Sequence, residues 1–164
     1  MRTRGLGRPG LICLRVLVPI LVYCHLAGLA LAESGPSITE LALAYDVRGY
    51  GEYTANPNGR VSPGEKVYIY LEVDGIASQV MRGQYQSRVS IDVEIVTPEG
   101  KAVFARKAAV VLNEQYESPQ HEFWFYLWAS VPKGLTTGRY MVNITARDLI
   151  ADTYSQSGIS IWLE

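Results

Sequence analysis

The chain has 164 residues with 15 basic and 16 acidic side chains, a net charge of −1 that is unevenly distributed. Four of the basic residues and none of the acidic ones precede residue 33, which leaves 11 against 16 and a net charge of −5 for the remainder. An acidic domain without a basic cluster is a poor partner for nucleic acid or an anionic membrane surface, so both classes are set aside.

Arg2, Arg4, Arg8 and Arg15 open the chain, and an apolar stretch follows from Val16 to Leu31. Ala30-Leu31-Ala32 places small residues three and one before a cut ahead of Glu33. This is the layout of a secretory signal peptide over residues 1–32. The apolar run, interrupted by Pro19 and His25, falls short of the roughly 20 residues a spanning helix needs, so cleavage is expected rather than anchoring. No two of its arginines are adjacent, which points to the general secretory route. Bulky Tyr23 beside Cys24 argues against lipid attachment there. Both cysteines, Cys13 and Cys24, lie in this leader, so the expected mature chain has no disulfide, thiolate ligand or cysteine nucleophile. Residues 33–164 are one domain's worth of chain, large enough to hold together by its core. The expected location is the periplasm or the cell exterior, with no membrane contact after cleavage.

Beyond the leader, apolar and polar residues alternate with a period of two, which puts one set on each face of a sheet. Ile38 to Asp46 reads as the first strand, with Leu41, Leu43 and Tyr45 on one face. Val47 to Gly64, rich in Gly, Asn and Pro, reads as loop. The second strand is Lys66 to Asp74, with Val67, Ile69, Leu71 and Val73 inward; Gly75 to Tyr85 is a second loop. Gln86 to Val96 forms the third strand. Thr97-Pro98-Glu99-Gly100 makes a turn into a fourth, Lys101 to Leu112, paired as an antiparallel hairpin. Asn113 to Gln120 is a polar loop, and the strongly aromatic fifth strand is His121 to Val131. Arg139 to Asp148 and Gly158 to Glu164 complete the set, the last with Ile159, Ile161 and Leu163 on one face. About seven strands at this spacing predict an all-β domain of two antiparallel sheets packed face to face.

Leu135-Thr-Thr-Gly-Arg-Tyr140-Met-Val142-Asn-Ile144-Thr-Ala146 resembles the sixth-strand region of fibronectin type III and other immunoglobulin-like domains. The resemblance implies that the Tyr140 hydroxyl caps the corner between two strands. Ser62-Pro63-Gly64-Glu65-Lys66-Val67 is similar to the turn that opens the second strand in many exported immunoglobulin-like modules. The chain lacks the inter-sheet cysteine pair of true immunoglobulin domains and a tryptophan on the second strand. The resemblance thus implies an immunoglobulin-like sandwich and leaves function open.

Catalytic chemistry is thin. His121 is the lone histidine after residue 32, and no Gly-x-Ser-x-Gly elbow supplies a nucleophile, so it reads as a strand-end side chain. Several N or S ligands for zinc are not available. Oxygen ligands for calcium exist around Asp148 and Asp152, with Asp46 and Asp74 on neighbouring strand ends, but such residues more often accept turn hydrogen bonds. Asp92 and Glu94 share the polar face of their strand and read as solvated rather than as a sugar-hydrolysing pair. Asn143-Ile144-Thr145 is a glycosylation sequon. No catalytic residue, metal or cofactor is expected.

The aromatic residues point further. Trp124, Tyr126 and Trp128 line one face of the fifth strand, opposite Phe123, Phe125 and Leu127, and Tyr68 and Tyr70 occupy the polar face of the second strand. Either these rings form an exposed platform for a sugar or a partner chain, or the Val47–Gly64 loop, with Tyr50 and Tyr53, folds over and buries them. The leading expectation is an exported, non-catalytic module that binds or assembles with another envelope or extracellular protein. The first alternative is a carbohydrate-binding domain using the aromatic face; the second is a small hydrolase. Exposure of Trp124 and Trp128 favours the carbohydrate reading, and their burial favours a plain structural module.

Overall fold

The computed structural model describes residues 35–164. The expected signal peptide, with Cys13 and Cys24, lies outside them. The alternating runs all become strands, and with three short additions the described residues hold ten: β1 (Ser37–Gly49), β2 (Glu52–Ala55), β3 (Arg60–Val61), β4 (Lys66–Asp74), β5 (Gln79–Met81), β6 (Gln84–Val96), β7 (Ala102–Tyr116), β8 (Phe123–Ser130), β9 (Gly138–Asp148) and β10 (Thr153–Leu163). One sheet has the order β2-β1-β4-β8. The other runs β3-β10-β9-β6-β5, with β7 also paired to β6. Gln86 pairs with both Gln79 of β5 and Gln115 of β7, so these two strands flank opposite edges of β6. The result is an immunoglobulin-like sandwich.

The core lies where sequence patterning places it. Leu43, Ile69, Leu71 and Val73 of the first sheet, with Phe123, Phe125 and Leu127 of β8, meet Ile91, Val93, Val142, Ile144 and Ile161 of the second. Tyr140 is buried at the start of β9, and its hydroxyl donates to the Thr136 carbonyl oxygen at 3.0 Å. That is the corner bond implied by the resemblance, closing the turn that enters β9. The expected hairpin turn is also present: Gly100 N–H donates to Thr97 O and Thr97 N–H to Lys101 O, both at 2.9 Å. Gly100 has φ +81°, a conformation that favours glycine.

Several expectations need correction. The count of about seven strands missed β2, β3 and β5, which are only four, two and three residues long, too short to show a period. Val47 to Gly64 is therefore not a loop: β1 continues to Gly49, turns at Tyr50-Gly51 and returns as β2. Tyr45 does not join the face of Leu41 and Leu43 in the core. The β1–β2 register shifts between Ala44 and Asp46, and the bulge leaves Tyr45 exposed. Gly75 to Tyr85 contains β5 and fully buried Ile76. The fourth of the expected strands, here β7, runs on to Tyr116 through the supposed polar loop, and the last begins at Thr153 rather than Gly158. Both extensions are polar, and backbone pairing rather than an apolar period makes them strands: Asn113–Tyr116 pairs with β6 and Thr153–Ser157 with β9.

Candidate functional site

The outward face of the first sheet is set by parity. In register, Trp124 lies opposite Glu72, Tyr126 opposite Tyr70, and Trp128 opposite Tyr68, with no shift along the β4–β8 pair. Trp124, Tyr126 and Trp128 are 37%, 48% and 58% exposed, while Phe123, Phe125 and Leu127 on the other face are buried. The strand is aromatic on both faces because only one of them enters the core.

The rings form a strip. Trp124 and Tyr126 stack at 6.2 Å between centroids and 18° between planes, and Tyr70 stacks on Trp124 at 6.2 Å and 27°. At the far end Lys66 Nζ sits 4.6 Å from the ring centroids of both Tyr68 and Trp128. This cation–π arrangement holds two aromatic faces at once. Lys66 and Glu72 share the parity of Tyr68 and Tyr70, so the alternation of β4 already placed a cation at one end of the strip and a carboxylate at the other. The period of two that aligns the aromatics is therefore also the signal for these two charges.

The suggested binding surface included Tyr68 and Tyr70, and the structure separates them. Tyr68 is half-buried. Tyr70 is fully buried and is not a contact residue. Tyr53 of β2 stacks on it at 4.5 Å, so the β1–β2 hairpin covers this part of the face and leaves the β8 triplet open. Both ideas about the Val47–Gly64 segment thus hold in part. The Tyr70 hydroxyl accepts from Gly51 N–H at 2.7 Å and donates to Glu72 Oε1. Burial, reinforced by that bond to Glu72, pushes its pKa up to about 12. Tyr53 Oη donates to Glu40 Oε1 at 3.0 Å, and its pKa is likewise raised, by burial first and then by Glu40. Tyr70 is therefore a fixed support beneath the strip, and Glu40 and Glu72 are the acceptors at its edge.

The remaining candidates fall into structural roles. His121 Nδ1 donates to the Ile76 carbonyl oxygen at 3.0 Å, and the hollow beside it is lined by Gly35, Gly75, Ala77, Ser78, Ile150 and Thr153, with no carboxylate among the described residues. The buried Asp148 carboxylate accepts from Ala77, Ile150 and Ala151 N–H at 2.6, 2.8 and 3.1 Å, tying the β9–β10 turn to the segment after β4. Asp92 accepts from Ala108 N–H at 2.8 Å and from Arg147 Nε at 3.1 Å. It pins a bulge of β7 in which Ala108 takes φ +49°. Asp92, Glu94 and Asn143 line a polar groove of about 460 Å³ on the outer face of the second sheet.

No protein-family model matches the sequence, and no curated protein matches it. Solved structures are similar in fold. The sporulation control protein Spo0M from Bacillus subtilis superposes at TM-score 0.51 with 14% identity, over 79% of this chain and 49% of that one. The chain thus spans about half of that protein. The C-terminal domain of wzt gives TM-score 0.51 with 10% identity, over 79% of this chain and 74% of that one. A Niemann-Pick type C2 protein from Japanese carpenter ant gives 0.50 with 9% identity, over 80% and 95%. At these identities the likeness is one of β-sandwich architecture.

Proposed function

We propose that this chain is an exported, non-catalytic module that binds carbohydrate on the open face of β8. The observation that carries the reading is the exposure of Trp124, Tyr126 and Trp128 on one face of β8, the first two rings stacked at 6.2 Å. A pyranose ring has an apolar C–H face and a rim of hydroxyls. The strip offers flat π surfaces for the first and the carboxylates of Glu72 and Glu40 for the second. Buried Tyr70 stacks on Trp124, and Lys66 holds Trp128 against Tyr68, so little order is lost on binding. Export is supported by the leader over residues 1–32 and by the confinement of cysteine to it. The thin catalytic inventory, with His121 spent on a backbone carbonyl, supports a binding role.

Titration of tryptophan fluorescence with a panel of soluble oligo- and polysaccharides, alongside retardation in polysaccharide gels, tests the reading. Trp124→Ala and Trp128→Ala should each weaken binding by several-fold to about tenfold. A panel without a binder, or binding indifferent to both substitutions, refutes it.

A further inference from the structure

The strand that carries the aromatic strip also ends its sheet, and its edge differs from the others. Among the described residues β8 pairs only with β4, in the order β2-β1-β4-β8, so no described strand occupies its second edge. Its sequence, Phe-Trp-Phe-Tyr-Leu-Trp-Ala-Ser, contains no charge, proline or glycine, and its register is unbroken from Val73↔Phe123 to Lys66↔Ser130. Sheet edges are normally blunted by charge, proline, bulges or brevity, because an open edge is a template for another strand. The other terminal strands among the described residues are blunted. β2 is four residues with two register shifts, and β3 and β5 are shorter still. β7 carries Arg106, Lys107 and Glu114 and a bulge at Ala108.

The backbone polarity of that edge can be read at both ends of the strand. Val131 N–H donates to Glu65 O at 3.0 Å, and His121 O accepts from Ile76 N–H at 3.1 Å, so odd-numbered residues direct their polar groups toward β4. In an antiparallel strand these directions alternate. Trp124, Tyr126 and Trp128 therefore point N–H and C=O at the free edge, while their rings occupy the outer face. Beside this edge a groove of about 580 Å³ separates β8 from β7, with Val93, Phe104, Val110 and Leu127 in its wall.

We infer that β8 pairs antiparallel with β8 of a second copy of this chain, about a two-fold axis at Tyr126. An isologous contact sets a residue on the axis against itself, so a charge there would repel its own copy; the whole strand is neutral. The pairing places Trp124 opposite Trp128 of the second copy, an aromatic cross-strand pair on each side of the axis. Charge favours the same orientation. Glu72 stands in register beside Trp124, and Lys66 Nζ sits over Trp128. Reversing one copy brings the basic end of each strip against the acidic end of the other, where exposed Glu122 also lies. The pairing uses the edge and leaves the face open. It doubles the strip without depending on what the strip binds.

Sedimentation and light scattering on the protein as purified after export, with its amino terminus read by intact mass, test the inference without any glycan. The expected mass is twice that of the chain. Tyr126→Pro removes an edge-directed donor but no bond to β4, and should leave a folded monomer by circular dichroism. Tyr126→Ala keeps the donor and loses the ring, so it should stay dimeric while binding glycan more weakly. Tyr126→Cys should give a disulfide-linked dimer on oxidation, since residues facing each other in such a pair lie about 5.5 Å apart at Cα. A wild-type monomer at every concentration, or absence of the cross-link, overturns the pairing. A dimer that binds no glycan leaves the pairing standing and removes only the carbohydrate reading.

Discussion

The two faces of β8 should respond differently to truncation, and the comparison of Phe125→Ala with Trp128→Ala measures the difference. Phe125 is 5% exposed, lies opposite Leu71 in the β4–β8 register and stacks near Phe123 at 6.4 Å. Its removal leaves a cavity between two sheets that are each held by long ladders and cannot collapse to fill it, so the loss should be about 3–5 kcal/mol. Trp128 is 58% exposed, and its described partner on that face is Lys66 at 4.6 Å. A cation–π contact at so open a site contributes about 0.5–1 kcal/mol, and with partial burial the whole loss should stay under about 2 kcal/mol. Urea unfolding followed by far-ultraviolet circular dichroism gives both values if the slope with denaturant is unchanged. Equal, large losses would mean that both faces are buried. The binding strip would then be abandoned for a plain structural module.

Tyr140→Phe deletes the bond to the Thr136 carbonyl and should cost about 1–2 kcal/mol in the same unfolding assay, with the fold intact. Alkaline titration should destabilise the domain. Tyr70 titrates at about 12 when folded against 10.0 ordinarily, so its stabilisation is complete below pH 10 and is lost as pH rises toward 12. Tyr116, raised to about 12 by burial and by its bond to Glu114, acts in the same window, so Tyr70→Phe should flatten the melting-temperature profile there only in part. Mass spectrometry of the exported protein should find Glu33 at the amino terminus, and reductant should not shift the melting temperature of that product. A full-length, membrane-retained chain contradicts the first, and a reductant-sensitive melt contradicts both.

Legibility in the sequence followed the strength of the period. Val67 to Val73, Val89 to Ile95 and Tyr140 to Ala146 alternate over four rungs each, and all three became strands with those residues buried. A strand of two to four residues offers at most two rungs, so β2, β3 and β5 carried no such signal. The consequence reached the candidate site. Tyr53 looked like a loop residue that either covered the whole face or none of it, whereas a hairpin places it over Tyr70 alone. The parity of Trp124, Tyr126 and Trp128 was readable, but which triplet faced the core was not, because both are aromatic. Position decided it: β8 ends the sheet, and no element of the described chain lies over its outer side.

Being at the end of the sheet also explains how one strand can be aromatic on both faces. In a central strand the neighbours on either side would need matching large residues, and the face would thicken into a second core. Here the single neighbour, β4, supplies Tyr68, Tyr70 and Glu72, and the next strand, β1, sets only Ala42 and Ala44 opposite Tyr70 and Tyr68. The step from alanine to tyrosine to tryptophan raises one margin of the sheet above the rest. The small residues make room for Tyr53 to reach Tyr70, and the bonds of Tyr70 to Gly51 and Glu72 fix the ring on which Trp124 rests. Buried tyrosines thus orient exposed tryptophans, and a ligand would meet rings already in place rather than side chains to be ordered. The same margin is the uncharged edge, so three exposed rings and an unblunted strand edge coincide on β8.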